Sequence, residues 1–234
     1  MKKLFQALWV ALLFLFLMPQ PLEAQRHRRR HQQRFKAGLI LGGNLSQVDG
    51  DRYSGFDKAN LQFGVSGAAV LSDHAELAVE FLYAGRGSRT ESDKNNALGE
   101  KDRRIDLRYM EVPILFRYRK KPEEPSSFFE LGFSFGRIIR SQVTEPSLPA
   151  DGFIFRELET DFNKNELTLL GSYGLQASRH LKFKFRFGFA MTQFYDNPAP
   201  KEERPPGSIF LGNAEERISF LRNYYMALMA HYQF

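Results

Sequence analysis

Residues 181–191 alternate without a fault, with Leu181, Phe183, Phe185, Phe187, Phe189 and Met191 on one side and Lys182, Lys184, Arg186, Gly188 and Ala190 on the other. Successive side chains of a β-strand point to opposite faces, so this stretch makes a strand with one phenylalanine-rich face and one cationic or small face. A helix would scatter the phenylalanines around its cylinder. In a soluble barrel the apolar face is the core. In a membrane barrel it meets lipid, and the charges line the interior. The alternation by itself leaves both open.

At 234 residues the chain is expected to hold one domain. Its mean hydropathy is negative, but strands with opposed faces cancel their own signal. The 23 Phe and 9 Tyr are more informative. Cysteine is absent, which excludes disulfides, thiol chemistry and a lipid-modified N-terminal cysteine. The net charge of +6 is interspersed with acids along the strands, which argues against nucleic acid as a partner.

Lys2 and Lys3 precede an apolar run from Leu4 to Met18, with Ala24 before the expected cut. The run is shorter than the roughly 20 residues of a membrane helix, so residues 1–24 read as a signal peptide and the protein as exported. Residues 25–34 hold the basic stretch Arg26–Arg34, an expected periplasmic arm. Residues 35–234 are left for the barrel.

Eight amphipathic strands are expected near 35–46, 61–71, 75–85, 105–118, 127–138, 165–176, 181–191 and 219–234. In the fourth, Ile105, Leu107 and Tyr109 are odd, whereas Val112, Ile114, Phe116 and Tyr118 are even. An extra residue near Met110-Glu111, beside Pro113, would produce that change of phase as a bulge. Links around Ser72-Asp73-His74, 119–125 and Ala177-Ser178-Arg179 are short; those at 47–60, 86–104, 139–164 and 193–217 are long. Strict alternation of turns and loops, with an even strand count, is the pattern of an all-β, up-and-down antiparallel transmembrane barrel with both termini at the turn end. Tyr232 and Phe234 close the last strand in phase with its apolar face, and are expected to act as a signal to the barrel assembly machinery. A narrow lumen suits the small inward residues Gly38, Gly64, Ser134, Gly174 and Gly188.

Gly38–Ser46, the block Tyr109-Met110-Glu111-Val112-Pro113-Ile114-Leu115 and the closing strand Asn223–Phe234 together resemble the PorT-like outer-membrane β-barrel proteins of Bacteroidetes. Leu131-Gly132-Phe133 stands where that family usually has Ala-Gly-Pro. The resemblance implies a barrel in the cell outer membrane, and, by its namesake, a role in protein secretion.

Catalytic chemistry finds little purchase. His27 and His31 lie in the basic arm, His74 and His180 at turns, and His231 near the C-terminus. No base is therefore placed near the long loops, where an outer-leaflet lipid would be modified. Asp49-Gly50-Asp51 lacks the spacing of a calcium loop. No catalytic, metal or cofactor site is expected. Glu80, Glu111 and Glu130 share the inward face with Arg117, Lys182, Lys184 and Arg186. Isolated buried charges cost several kcal/mol each, so these seven are expected to pair across a plugged lumen. Phe153, Phe155 and Phe162 are expected to cap the mouth, enter the leaflet or dock a partner. The reading is a non-enzymatic barrel acting through its loops or arm. Its partners are membrane lipid, the assembly machinery and other envelope or secretion proteins. An outer-leaflet lipid-modifying enzyme and a soluble periplasmic lipocalin-like carrier are the alternatives.

Overall fold

Period-two alternation recurs in every long segment, and it produces strands throughout. The computed structural model describes residues 34–51, 55–89, 104–120, 125–144, 158–196 and 220–234. Within them lie β1 (Phe35–Asp49), β2 (Lys58–Val70), β3 (Ala75–Arg89), β4 (Arg104–Arg119), β5 (Ser126–Thr144), β6 (Asn165–Gln176), β7 (Leu181–Ala190), β8 (Tyr195–Asp196) and β9 (Phe220–Gln233). Sequential strands pair antiparallel from β1 to β7; β7 then pairs with β9, and β9 with β1 from Gly38↔Gln233 to Asp49↔Arg222. The eight long strands thus close a barrel. The two-residue β8 adds to the loop end of β9. Around the barrel itself closure leaves no open sheet edge, the condition for a sheet to exist in hydrocarbon, where no water satisfies backbone groups.

The face question is decided by exposure. Phe183, Phe185 and Phe187 point outward, as do Leu39, Leu41, Phe63, Val65, Phe81, Phe129, Leu131, Phe133 and Phe135, while Lys182, Lys184 and Arg186 are buried inside. An outer wall this apolar has no place in water. Tyr232 and Phe234 lie on that outer wall, their rings 5.6 Å apart. At the turn end, His74 donates from Nδ1 to the Arg119 carbonyl (3.0 Å) and His180 from Nδ1 to that of Gln233 (2.8 Å). Each turn histidine therefore ties its hairpin to a neighbouring strand.

Two expectations are corrected. β4 has no bulge near Met110-Glu111: its inward row runs unbroken through Ile105, Leu107, Tyr109, Glu111, Pro113, Leu115 and Arg117. The apparent phase change arises because the lumen itself changes character. Its loop end is apolar, so β4 presents apolar residues inward there and outward lower down. The register shift lies instead in β5, where Arg108 faces Arg140, Tyr109 faces Ile138, and Ile139 is the extra residue. The second correction concerns length. β3 runs on to Arg89 and β5 to Thr144, so parts of the expected loops 86–104 and 139–164 are strand. Residues 138–144 of β5 pair with β4 beyond the reach of β6, whose ladder ends at Arg137↔Asn165. At about 3.3 Å per residue, β4 and β5 stand roughly 20 Å above it as a ribbon.

Candidate functional site

Inward positions near the turn end and middle of the barrel carry charge. Glu130 on β5 accepts from Arg117 (2.6 Å), Lys184 (3.2 Å) and Arg186 (3.3 Å). Glu80 on β3 accepts from Arg186 at 2.8 Å and also pairs with Lys184. Arg186 gives its remaining Nε–H to Ser172 (3.1 Å). Six of the seven inward charges read from the sequence thus fall into one cluster, with Lys182 at its edge, 3.9 Å from Glu76. Glu111 stands apart. It pairs with Arg86 through two hydrogen bonds of 2.8 and 2.7 Å, and takes no part in the Arg117–Arg186 group.

Sequence reasoning missed several members. Glu76 accepts from Lys36 (2.7 Å), Arg117 (2.6 Å) and Arg119 (2.5 Å). The even numbering of Glu76, in phase with Glu80, was the available signal. Arg86 reads as loop because Gly85 and Gly87 flank it, yet it is fully buried. Glu166 accepts from Tyr109 (3.0 Å), Asn223 (2.9 Å) and Thr168 (3.2 Å). These groups are desolvated; Glu76 and Glu166 each accept from three partners, and Arg86 is held by the Glu111 carboxylate, which is what keeps buried charge tolerable.

The Arg86 guanidinium lies 3.2 Å from the centre of the Tyr225 ring, a stacked cation–π contact. Tyr225 fits only because Gly188 faces it: a Cβ there would stand 2.0 Å from a ring carbon. Gly188→Val is therefore expected to displace Tyr225 and loosen Arg86. Overpacking of this kind costs about 1–3 kcal/mol, read as an earlier urea unfolding midpoint of the reconstituted barrel.

Above the charges the lumen turns apolar. Val48, Ile105, Leu107, Ile138, Val143, Leu158, Phe162, Phe194, Tyr195 and Leu221 form one buried cluster across the loop end. Phe162 packs edge-on to Phe194 and Tyr195, with centroids 5.1 and 6.5 Å away. It sits in the mouth of the barrel. Phe153 and Phe155 lie outside the described residues, as do residues 1–33. Among the described residues, charge thus lies below and an apolar cluster above, with a second apolar cluster that includes Ile40, Leu82, Leu115, Leu170 and Met229 among the charged positions.

One side-chain pair carries the look of a nucleophile and its base. Ser66 Oγ and His231 Nε2 are 2.8 Å apart. His231 is buried, however, and its Nδ1 has no hydrogen-bond partner among the described residues. The carboxylate that would orient a catalytic imidazole is missing. Among the described residues no three His, Asp or Glu side chains converge as metal ligands.

A family model described as an outer membrane protein beta-barrel domain matches residues 23–196. No curated protein matches the chain. Among solved structures, Ail, the attachment invasion locus protein of Yersinia pestis, in complex with the heparin analogue sucrose octasulfate, is similar at 13% identity. Its TM-score is 0.45, over 86% of this chain and 100% of that one. OprG from Pseudomonas aeruginosa is similar at 10% identity and a TM-score of 0.40, over 86% of this chain and 94% of that one.

Proposed function

Because this chain belongs to the outer membrane protein beta-barrel domain family, we propose that it is a non-enzymatic outer-membrane scaffold or binding protein that works through its surfaces rather than its lumen. The observation that carries the reading is the filled interior. Arg117, Lys184 and Arg186 close on Glu80 and Glu130, and the cluster around Leu107, Phe162 and Phe194 occupies the mouth. Among the described residues, these side chains close on one another across the lumen and leave its interior to the protein's own groups. Specificity then belongs to the long loops and to residues 25–34, the proposed basic arm that follows a signal peptide at 1–24. The start of β1 and the end of β9 sit at the end of the short turns, which this reading assigns to the periplasm. The PorT-like resemblance of Tyr109–Leu115 and the closing strand favours a partner in protein secretion or envelope assembly.

Two measurements test the proposal. Reconstituted in planar bilayers, the barrel is expected to show no steady conductance above background; sustained ion current would overturn the closed-lumen reading. Affinity isolation from native envelopes, with and without residues 26–34, is expected to recover envelope or secretion components with the intact chain and to lose them on deletion if the arm is the contact. Recovery of lipid turnover products in place of proteins would favour the enzyme alternative.

A further inference from the structure

The bulge in β5 has a chemical result. Below it, the outward residues of β5 are the odd ones, Phe129 to Arg137; above it, Arg140 and Gln142 are exposed. Had Ile139 paired as an ordinary ladder residue, keeping the odd residues outward, Arg140 would point into the apolar mouth. Bulges are a recurrent means of re-aiming a side chain. Here the re-aimed Arg140 comes directly opposite Arg108 on the outer face of the sheet. Like charges facing each other across a ladder are destabilising. Among the described residues neither arginine has a carboxylate in ion-pair reach. Asp106, which lines the same cavity, is held by Lys58 and Arg104 at 2.6 Å each. Arg104, Asp106, Arg108, Arg140, Gln142 and Thr144 line a cavity of about 390 Å³.

A second feature leads up to it. An apolar groove of about 600 Å³ crosses the outer faces of β1, β2 and β3 past Leu41, Phe63, Phe81 and Tyr83, and includes Met110 on β4. Tyr83 pairs with Met110, and the next outward pair along the ladder is Gly85 with Arg108. Gly85 is required there, because a Cβ would lie 2.3 Å from an Arg108 nitrogen. Acyl-chain groove and arginine pair are thus contiguous, at the depth where the lipid-facing wall gives way to polar side chains.

We infer that Arg108 and Arg140 bind the phosphate of a membrane lipid headgroup whose acyl chain lies along the Phe63–Tyr83–Met110 groove. Both arginines line the one cavity, a guanidinium fork matches the geometry of phosphate oxygens, and an anion bound there offsets the repulsion between them. A protein partner for the loops is neither required nor excluded by this site.

The test uses the reconstituted full-length mature chain, its fold checked by heat-modified gel mobility, with lipid retention followed by native mass spectrometry. Diphosphoryl lipid A is the phosphate-bearing probe, its dephosphorylated form the control, and inorganic phosphate the competitor. Wild type is expected to retain the phosphorylated lipid about tenfold more tightly than the control, a difference that charge-assisted hydrogen bonds readily supply. In Arg108→Gln/Arg140→Gln that preference is expected to vanish, with acyl-dependent binding left in place. Equal retention of both lipids by wild type overturns the inference, as does a preference that survives in the double variant. Displacement of the lipid by millimolar inorganic phosphate overturns it too, since the site would then serve a free anion. If the double variant does not fold, Arg140→Gln alone and the wild-type comparison still decide.

Discussion

Glu130→Ala is expected to be among the most damaging single changes in the barrel, at about 3–5 kcal/mol. Glu130 is the shared acceptor of Arg117, Lys184 and Arg186, and its side chain is sealed from solvent. Removing it leaves Glu76 and Glu80 to balance three buried cations, with no water to replace the lost carboxylate. Glu130→Gln keeps an acceptor for Arg117 and should fall between wild type and Ala. The double variant Glu130→Ala/Arg117→Met should recover part of the loss, because removing both members of a buried pair avoids an orphaned charge. Urea unfolding in lipid vesicles, followed by heat-modified mobility, reads all three. A double variant no more stable than Glu130→Ala would show that Arg117 is not coupled to this carboxylate.

Leu131→Arg tests the other face of the same strand. Leu131 is 64% exposed and lies in the outward row Phe129, Leu131, Phe133, Phe135. Arginine placed near the bilayer midplane on a barrel wall costs about 2–4 kcal/mol and falls towards nothing at the interfaces. Leu131→Arg should therefore shift the unfolding midpoint strongly in vesicles. Thr144→Arg, at the exposed end of the protruding ribbon, should scarcely move it. Equal, small effects at both positions would remove the lipid-facing assignment.

Glu130 and Leu131 are adjacent residues, and the contrast between their faces was legible in the chain. The pattern Glu130-Leu131-Gly132-Phe133 declares opposite faces, as does Lys182-Phe183-Lys184-Phe185. The same parity placed Arg117 and Arg186 inside with Glu80. Glu76 obeyed that parity as well, and lay inside the strand expected at 75–85, four residues before Glu80 on the same face. Arg86 was another matter. Its flanking Gly85 and Gly87 look like loop residues, yet Gly85 is there for close approach of Arg108, and Gly87, at φ 124°, adopts a backbone that other residues rarely take.

The change of phase in β4 shows where parity alone fails. Ile105, Leu107 and Tyr109 are as apolar as Ile114, Phe116 and Tyr118, and local sequence cannot tell a core facing inward from a wall facing lipid. Only the residues that converge from elsewhere distinguish them: Val48, Phe162, Phe194 and Leu221 meet the first set, while the second stays about half exposed on the outer wall. The position of the bulge has the same origin. One inserted residue flips every side chain beyond it, but whether β4 or β5 carries the insertion is a property of their register, which neither strand specifies by itself.

By itself, then, the sequence determined the strand class, the strand count, the alternation of turns and loops, and which face of Leu181–Ala190 is cationic, because a period of two is a local property of the backbone. Tertiary structure decided that the lumen is charged below and apolar above, which cation meets which carboxylate, and that Arg140 comes to face Arg108 across the outer wall. These depend on closure and register, which bring residues more than a hundred positions apart, such as Glu80 and Arg186, within hydrogen-bonding distance.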